Sequence, residues 1–240
     1  MSRHGLSSYC IFDHLNKKFF ILSMKFKKQT YSTAVADHIK RKIQQGELLP
    51  GQAIKEVALS QDLGISRAPI REALESLVQE GLVTSEPQKG KRVRIMTPQE
   101  IEWSYKVGGI LEATGVCDSL HLWKNIEINE LVHILDGMYA KSLQARDLAE
   151  LSDLDNTFHD TLLMHCDNQY LISLARQSCA TISKYLMYKQ WMSFYSPNEF
   201  YKRHLIIVEA MIDRDLNKVM HLIRKHYNDL GSRMALIAKD

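Results

Sequence analysis

The sequence predicts a mainly α-helical chain in two parts, a small N-terminal domain closed by a β-hairpin and a larger all-helical bundle behind it. Three observations predict this. Residues 32–80 place apolar side chains at helical spacing in three short blocks. Only "LVTSE" and "KRVRIM" alternate like strands, and both lie within residues 82–96. After residue 97 about six amphipathic segments follow one another with short joints.

Composition is compatible with this. The chain has 240 residues, 45% apolar and 25% charged, with only five prolines to interrupt helices. Its four cysteines, Cys10, Cys117, Cys166 and Cys179, form no CxxC pair. That argues against a zinc knuckle or a disulfide framework and fits a reducing cytoplasm. No apolar run reaches transmembrane length, so no membrane partner is expected. Residues 1–29 show no clear period and no cleavage site of a signal peptide. They are read as an arm, disordered or upstream of a true start at Met24, with packing on a partner subunit as the alternative.

Charge is unevenly spread. Residues 1–29 carry six basic and one acidic side chain, residues 30–96 ten and eight, and residues 97–240 fifteen and nineteen. A basic N-terminal third suits a module that neutralises phosphates.

The elements of residues 30–96 can be justified in order. "STAVADHIKRKIQQ" aligns Val35, Ile39 and Ile43 on one helical face. Gly46, Pro50 and Gly51 then break the chain. "KEVALSQDLG" is a short helix ended by Gly64. In "ISRAPIREALESLVQEG", Ser66 stands at the N-cap, Pro69 lies in the first turn, and Ile70, Leu74 and Leu77 form the apolar stripe. "PQKG" joins the two strands as a hairpin turn. Three helices and a two-stranded wing, with a short glycine-containing turn before the third helix, make a winged helix-turn-helix. Its third helix would enter the major groove by its N-terminal end, where Ser66, Arg67 and Arg71 stand. An arginine there pairs with guanine O6 and N7, contributing ~1–3 kcal/mol of discrimination. At the wing tip, Lys89, Lys91 and Arg92 around Gly90 suit phosphate or minor-groove contact.

"GELLPGQAIKEVALSQDLGISRAPIREALESLVQEGLV" resembles the N-terminal domain of the GntR family of bacterial transcription regulators. The likeness rests on the Pro50-Gly51 turn, Glu56, and "SRAPIREAL" followed by "EGLV". It implies double-stranded operator DNA as partner, read by Ser66, Arg67, Pro69 and Arg71 and by the wing at Lys89, Gly90 and Arg92. Val57 stands where many members have a DNA-contacting arginine, and Lys55 is the expected substitute.

Residues 97–240 read as helices over about 98–123, 127–145, 147–166, 168–195, 197–213 and 215–237, with Thr97 as the first cap. Such a bundle has room for a ligand cavity between helices. Five of the ten histidines lie after residue 150: His159, His165, His204, His221 and His226. Asp155 and His159 share a face at i, i+4. His204 and His226 border inward apolar stripes. Three imidazoles and one carboxylate are a common set for a divalent ion, zinc first, with nickel, manganese or iron as alternatives and with open positions for ligand.

This part resembles the ligand-binding domain of the FadR subgroup of GntR regulators. Segments like "LDNTFH", "EFYKRHLIIVEAM" and "HLIRKHY" hold the metal in that subgroup, which implies Asp155, His159, His204 and His226 as ligands. His165 and His221 fall outside the pattern. "GGILEATGVCDSL" matches through Leu111 and Glu112, but Gly108, beside Gly109, replaces an arginine. A kink, a close helix contact or a bulkier ligand would each explain the pair.

The resemblance further implies a homodimer, an inverted-repeat operator and a small carboxylate effector that modulates a repressor. Tyr185 and Tyr188, in "KYLMYKQWMSFY", are the candidate pocket walls. Two other functions compete: a regulator whose metal is purely structural, and a metallohydrolase. The second lacks any further carboxylate or other general base beside the set, so an enzyme is not expected.

Overall fold

The computed structural model describes residues 30–238. The arm expected over residues 1–29 lies outside them. Among the described residues no helix is long and apolar enough to cross a membrane.

The N-terminal domain begins with α1 (Tyr31–Gln44), capped by Thr30, whose hydroxyl accepts from the Thr33 amide. Strand β1 (Ala53–Ile54) leads into α2 (Glu56–Leu63), which ends on Gly64 in the left-handed region, φ 63°. Helix α3 (Arg67–Gln79) follows after two residues. Strands β2 (Val83–Glu86) and β3 (Gly90–Val93) form the wing. The sheet has three strands rather than the expected two, in the order β1-β3-β2, with Ala53 opposite Arg92 and Thr84 opposite Arg92 on the other side. β1 escaped the sequence because two residues are too few to show alternation. One apolar core, including Val35, Ile39, Ile70, Leu74 and Leu77, joins these elements.

Helix α4 (Pro98–Ser119) opens the bundle with a complete capping box between Thr97 and Glu100. Then come α5 (Asn125–Ser142), α6 (Ser152–Leu162), α7 (Gln169–Thr181), α8 (Tyr188–Trp191), α9 (Pro197–Ile212) and α10 (Leu216–Ile237). The helix expected over 168–195 is broken. After α7 the chain makes a π-helical turn, Ile182–Leu186, in which the Met187 amide donates to the Ile182 carbonyl at 2.8 Å. Amphipathic spacing cannot signal such an insertion, because apolar residues continue through it. The bundle has its own core, with Phe158, Ile207, Met211 and Ile223 fully buried.

Helix α4 stays unbroken through Gly108 and Gly109 and packs mainly on α10 and α7. A Cβ on Gly109 would lie 2.8 Å from Cβ of Tyr227, and one on Gly108 2.5 Å from Oγ of Ser178. Of the three explanations for the glycine pair, the structure selects the close helix contact.

Candidate metal centre and nucleic-acid interface

Helix α6 supplies Asp155 and His159 one turn apart, α9 supplies His204 and α10 supplies His226. Phe158 is fully buried, edge-on to His159 and His204 at centroid distances of 5.5 and 4.8 Å. It therefore sets how α6 faces α9. Ligand atoms of His159, His204 and His226 all lie within 4.8 Å of one another. Oδ1 of Asp155 is 3.0 Å from Nε2 of His204 and 3.6 Å from Nε2 of His159.

The hydrogen-bond roles bear on what the site wants. Nδ1 of His204 is 2.8 Å from the Phe200 carbonyl, which can only accept, so Nδ1 carries the proton. Nδ1 of His159 lies 2.8 and 3.0 Å from the two carboxylate oxygens of Glu112 and likewise donates. Both Nε2 atoms therefore turn toward one carboxylate oxygen. Without a proton or a metal ion between them, lone pairs would face lone pairs. Nδ1 of His226 is buried with no hydrogen-bond partner. The donor set, the outer hydrogen bonds that orient two of its rings and this orphaned nitrogen all fit a divalent cation.

Electrostatics agree. Burial would raise the Asp155 carboxyl, but the bonds and charges of His159 and His204 hold it well below the usual range. Burial would lower His159, but Glu112 first and Asp155 next push it well above. Burial, with His204 and His159 adding to it, drives His226 well below, so it stays neutral with a lone pair to give.

Glu112, almost fully buried on α4, escaped the reading of the sequence as a group acting on this site. It lies beside the set that was taken to lack a further carboxylate. Both its oxygens are engaged: Tyr227 donates its hydroxyl to Oε2 at 2.8 Å, and Nδ1 of His159 lies 2.8 and 3.0 Å from the two oxygens. A buried acid on a helix that otherwise faces the core was the available signal.

Beside the cluster lies a cavity of about 330 Å³. Its walls include Tyr105, Trp191, Tyr195, Arg176, Lys184 and Arg203. The hydroxyls of Tyr105 and Tyr195 are buried without hydrogen-bond partners; Ser183 approaches Tyr105 short of bonding geometry. Arg203 donates to the His226 carbonyl at 2.7 Å and stacks on Tyr195 at 4.3 Å. Tyr185 and Tyr188, expected as pocket walls, do not line this cavity. They wall a separate groove of about 310 Å³ with Lys40 and Arg41 of α1. The π-turn accounts for this, since Tyr185 packs against the core of the N-terminal domain instead.

On the N-terminal domain, Ser66 occupies the N-cap of α3, but its side chain makes no capping bond. Arg67 and Arg71 are exposed, Arg71 with Nη2 3.4 Å from Glu56. Pro69 is half-buried in the first turn, and Lys55 is exposed at the N-cap of α2. At the wing tip, Gln88 and Gly90 adopt φ of 66° and 73°. Lys89 stands exposed there, 2.7 Å from Glu86. Lys91 and Arg92 are not at the tip but in β3. Lys91 pairs with Glu75 of α3 at 2.6 Å, and Arg92 donates to the Gly51 carbonyl at 3.0 Å. Each fastens the wing rather than capping it.

Residues 31–93 match the gntR family of bacterial regulatory proteins, and residues 105–229 match the FCD domain. The Nta operon transcriptional regulator of Aminobacter aminovorans is 26% identical over 187 residues, 75% of this chain and 85% of that protein. The gluconate operon transcriptional repressor of Bacillus licheniformis is 24% identical, covering 83% of each. Among solved structures, Escherichia coli McbR/YncC superposes with a TM-score of 0.62 at 18% identity, over 83% of this chain and 94% of that one. A GntR regulator from Rhodococcus sp. RHA1 gives 0.61 at 22% identity, over 85% and 96%.

Proposed function

The chain belongs to the gntR family of bacterial regulatory proteins, in the branch carrying an FCD domain, and from that premise we propose a metal-dependent sensor of small carboxylates. It is a DNA-binding transcription regulator, not an enzyme. In the proposed reading Asp155, His159, His204 and His226 hold one divalent cation, zinc first, and the cation offers an open position to a carboxylate oxygen.

One observation carries this reading: three imidazoles and a carboxylate from three helices cluster, and three of them, Asp155, His159 and His226, line a cavity that also presents Arg176, Lys184 and Arg203. A metal supplies a point of attachment for an anion and Lys184 favours negative charge, while Arg176 and Arg203 are paired with Asp160 and Asp229 at 2.8 and 3.3 Å and can offer only their remaining N–H donors. Buried phenol hydroxyls at Tyr105 and Tyr195 are free to bond further oxygens of the ligand. Glu112 is engaged by His159 and Tyr227, and in this reading it orients the His159 ring.

The DNA arm of the proposal is a homodimer reading an inverted repeat in the cytoplasm, each α3 entering the major groove with Arg67 and Arg71 leading. Effector binding alters the placement of the heads only in so far as it binds the two arrangements with different affinity. Repression follows the named relatives, several of which are repressors.

A cation that only staples the bundle is the second reading, favoured by the complete burial of His204. Thermal unfolding separates the two. Zn²⁺ is added to chelator-treated protein, then lactate, citrate, malonate and gluconate are added with and without metal. A carboxylate that stabilises only the metal-loaded form supports sensing. Stabilisation by Zn²⁺ with no response to any carboxylate supports the structural cation.

A further inference from the structure

The cavity and the recognition helix are joined within one chain by a short path. Thr181, the last residue of α7, donates its hydroxyl to the Glu80 carbonyl at 3.1 Å. Glu80 is the C-cap of α3. Its carboxylate takes Nζ of Lys40 at 2.6 Å, and that ammonium sits 5.9 Å from the ring centroid of Tyr185 in the π-turn. Tyr185 and Leu186 pack on the core of the DNA-binding domain. On the other side of the same turn, Cys179, Ser183 and Lys184 line the metal cavity, and Ile182 is buried in the bundle. Residues 179–186 thus touch both the cavity and the end of α3, and Lys184 lines the cavity and the Tyr185 groove alike.

A π-turn is suited to carrying a discrete change. Its Ile182 carbonyl accepts from Met187. The α-register would use Leu186 instead, turning the side chains that follow by about 100° around the helix axis. Either register alters how Tyr185 meets α1, and the cavity side chains Ser183 and Lys184 belong to the same turn. A turn that exchanged between these two registers, each favoured differently by the two sites, would meet the physical requirement for coupling.

We propose that Thr181 and Tyr185 position the C-terminal end of α3 from the cavity wall, so that occupancy of the cavity reaches the DNA-binding domain through the turn Ile182–Leu186. The proposal rests on the reading that the cavity cluster binds a divalent cation. Thr181 and Lys40 act as positioning residues; neither touches the metal ligands or the leading arginines of α3.

Hydrogen exchange on the full chain, chelator-treated and then given Zn²⁺ alone, tests it. In the wild type Zn²⁺ slows exchange in residues 152–162 and also, on the order of tenfold, in 31–44 and 74–82. In Thr181→Val with Lys40→Met, the slowing in 152–162 persists and that in 31–44 and 74–82 disappears. Thr181→Ser with Lys40→Arg, which keeps both contacts, retains it. Slowing of the DNA-binding domain that survives in Thr181→Val with Lys40→Met overturns the proposal. So does a wild type in which 152–162 responds and the DNA-binding domain does not. A wild type with no response in 152–162 overturns the metal reading itself, a failure distinct from that of the relay.

Discussion

The carboxylate of Glu112 brackets one imidazole nitrogen: Oε1 and Oε2 lie 2.8 and 3.0 Å from Nδ1 of His159. This bond decides which nitrogen of His159 faces Asp155, and Tyr227 holds the carboxylate in place. Outer bonds of this kind typically contribute 10–100-fold in metal affinity. We therefore predict that Glu112→Ala weakens Zn²⁺ binding by about that range, measured by chelator competition, while Tyr227→Phe has a smaller effect in the same direction. Unchanged affinity in Glu112→Ala would show that His159 needs no such anchor.

Gly109 gives a prediction whose sign is opposite to the general rule. Replacing a mid-helix glycine with alanine ordinarily gains ~1 kcal/mol. Here the new Cβ would stand 2.8 Å from Cβ of Tyr227 and 3.4 Å from the α10 backbone at Arg224. Overpacking of this kind costs about 1–3 kcal/mol, so the clash dominates. Gly109→Ala should lower the denaturant midpoint; a raised midpoint would refute the close contact.

The stability of metal-free protein should fall as pH rises above neutrality. His159 is held above its ordinary value of 6.5, so its contribution is complete below that pH and is lost as pH climbs through the folded-state value. His226, held below 6.5, has the reverse sign and acts only under that pH, where the unfolded chain takes up the proton more readily. Zn²⁺ needs neutral imidazoles and competes with protons. The gain in unfolding temperature on adding Zn²⁺ should therefore widen between pH 6 and pH 9. A gain that shrinks over this range would contradict the assignment of these histidines.

At the DNA face, Arg67→Ala should abolish specific operator binding without changing thermal stability. Lys89→Ala should weaken binding to all sequences alike and reduce the salt slope by about one. Arg92→Ala should instead lower stability by about 1 kcal/mol, because its guanidinium holds the Gly51 carbonyl inside the wing. Operator titrations at several salt concentrations, with thermal melts beside them, separate the three. A salt slope reduced by Arg92→Ala as much as by Lys89→Ala would move Arg92 to the phosphate side.

Much of this was legible because the signals were periodic. Helical spacing, Gly64 and the alternation of "LVTSE" and "KRVRIM" mark the winged domain, and the i, i+4 pair Asp155 and His159 marks one edge of the cluster. What escaped depended on single insertions and long-range contact. The π-turn adds one residue inside an apolar run, so Tyr185 and Tyr188 swing out of the cavity where spacing alone would leave them. Glu112 is 47 residues from His159 in sequence, and only the tertiary packing of the bundle brings them together. Arg92 looked like a wing-tip cation because charge patterning does not distinguish a tip from the strand beside it.

The central claim is tested most directly by elemental analysis of the full chain purified without chelator, beside His204→Ala prepared identically. The account predicts about one equivalent of a divalent metal per chain in the wild type and its loss in His204→Ala. A wild type free of metal after reconstitution with Zn²⁺, or a His204→Ala variant that keeps its full complement, would contradict it.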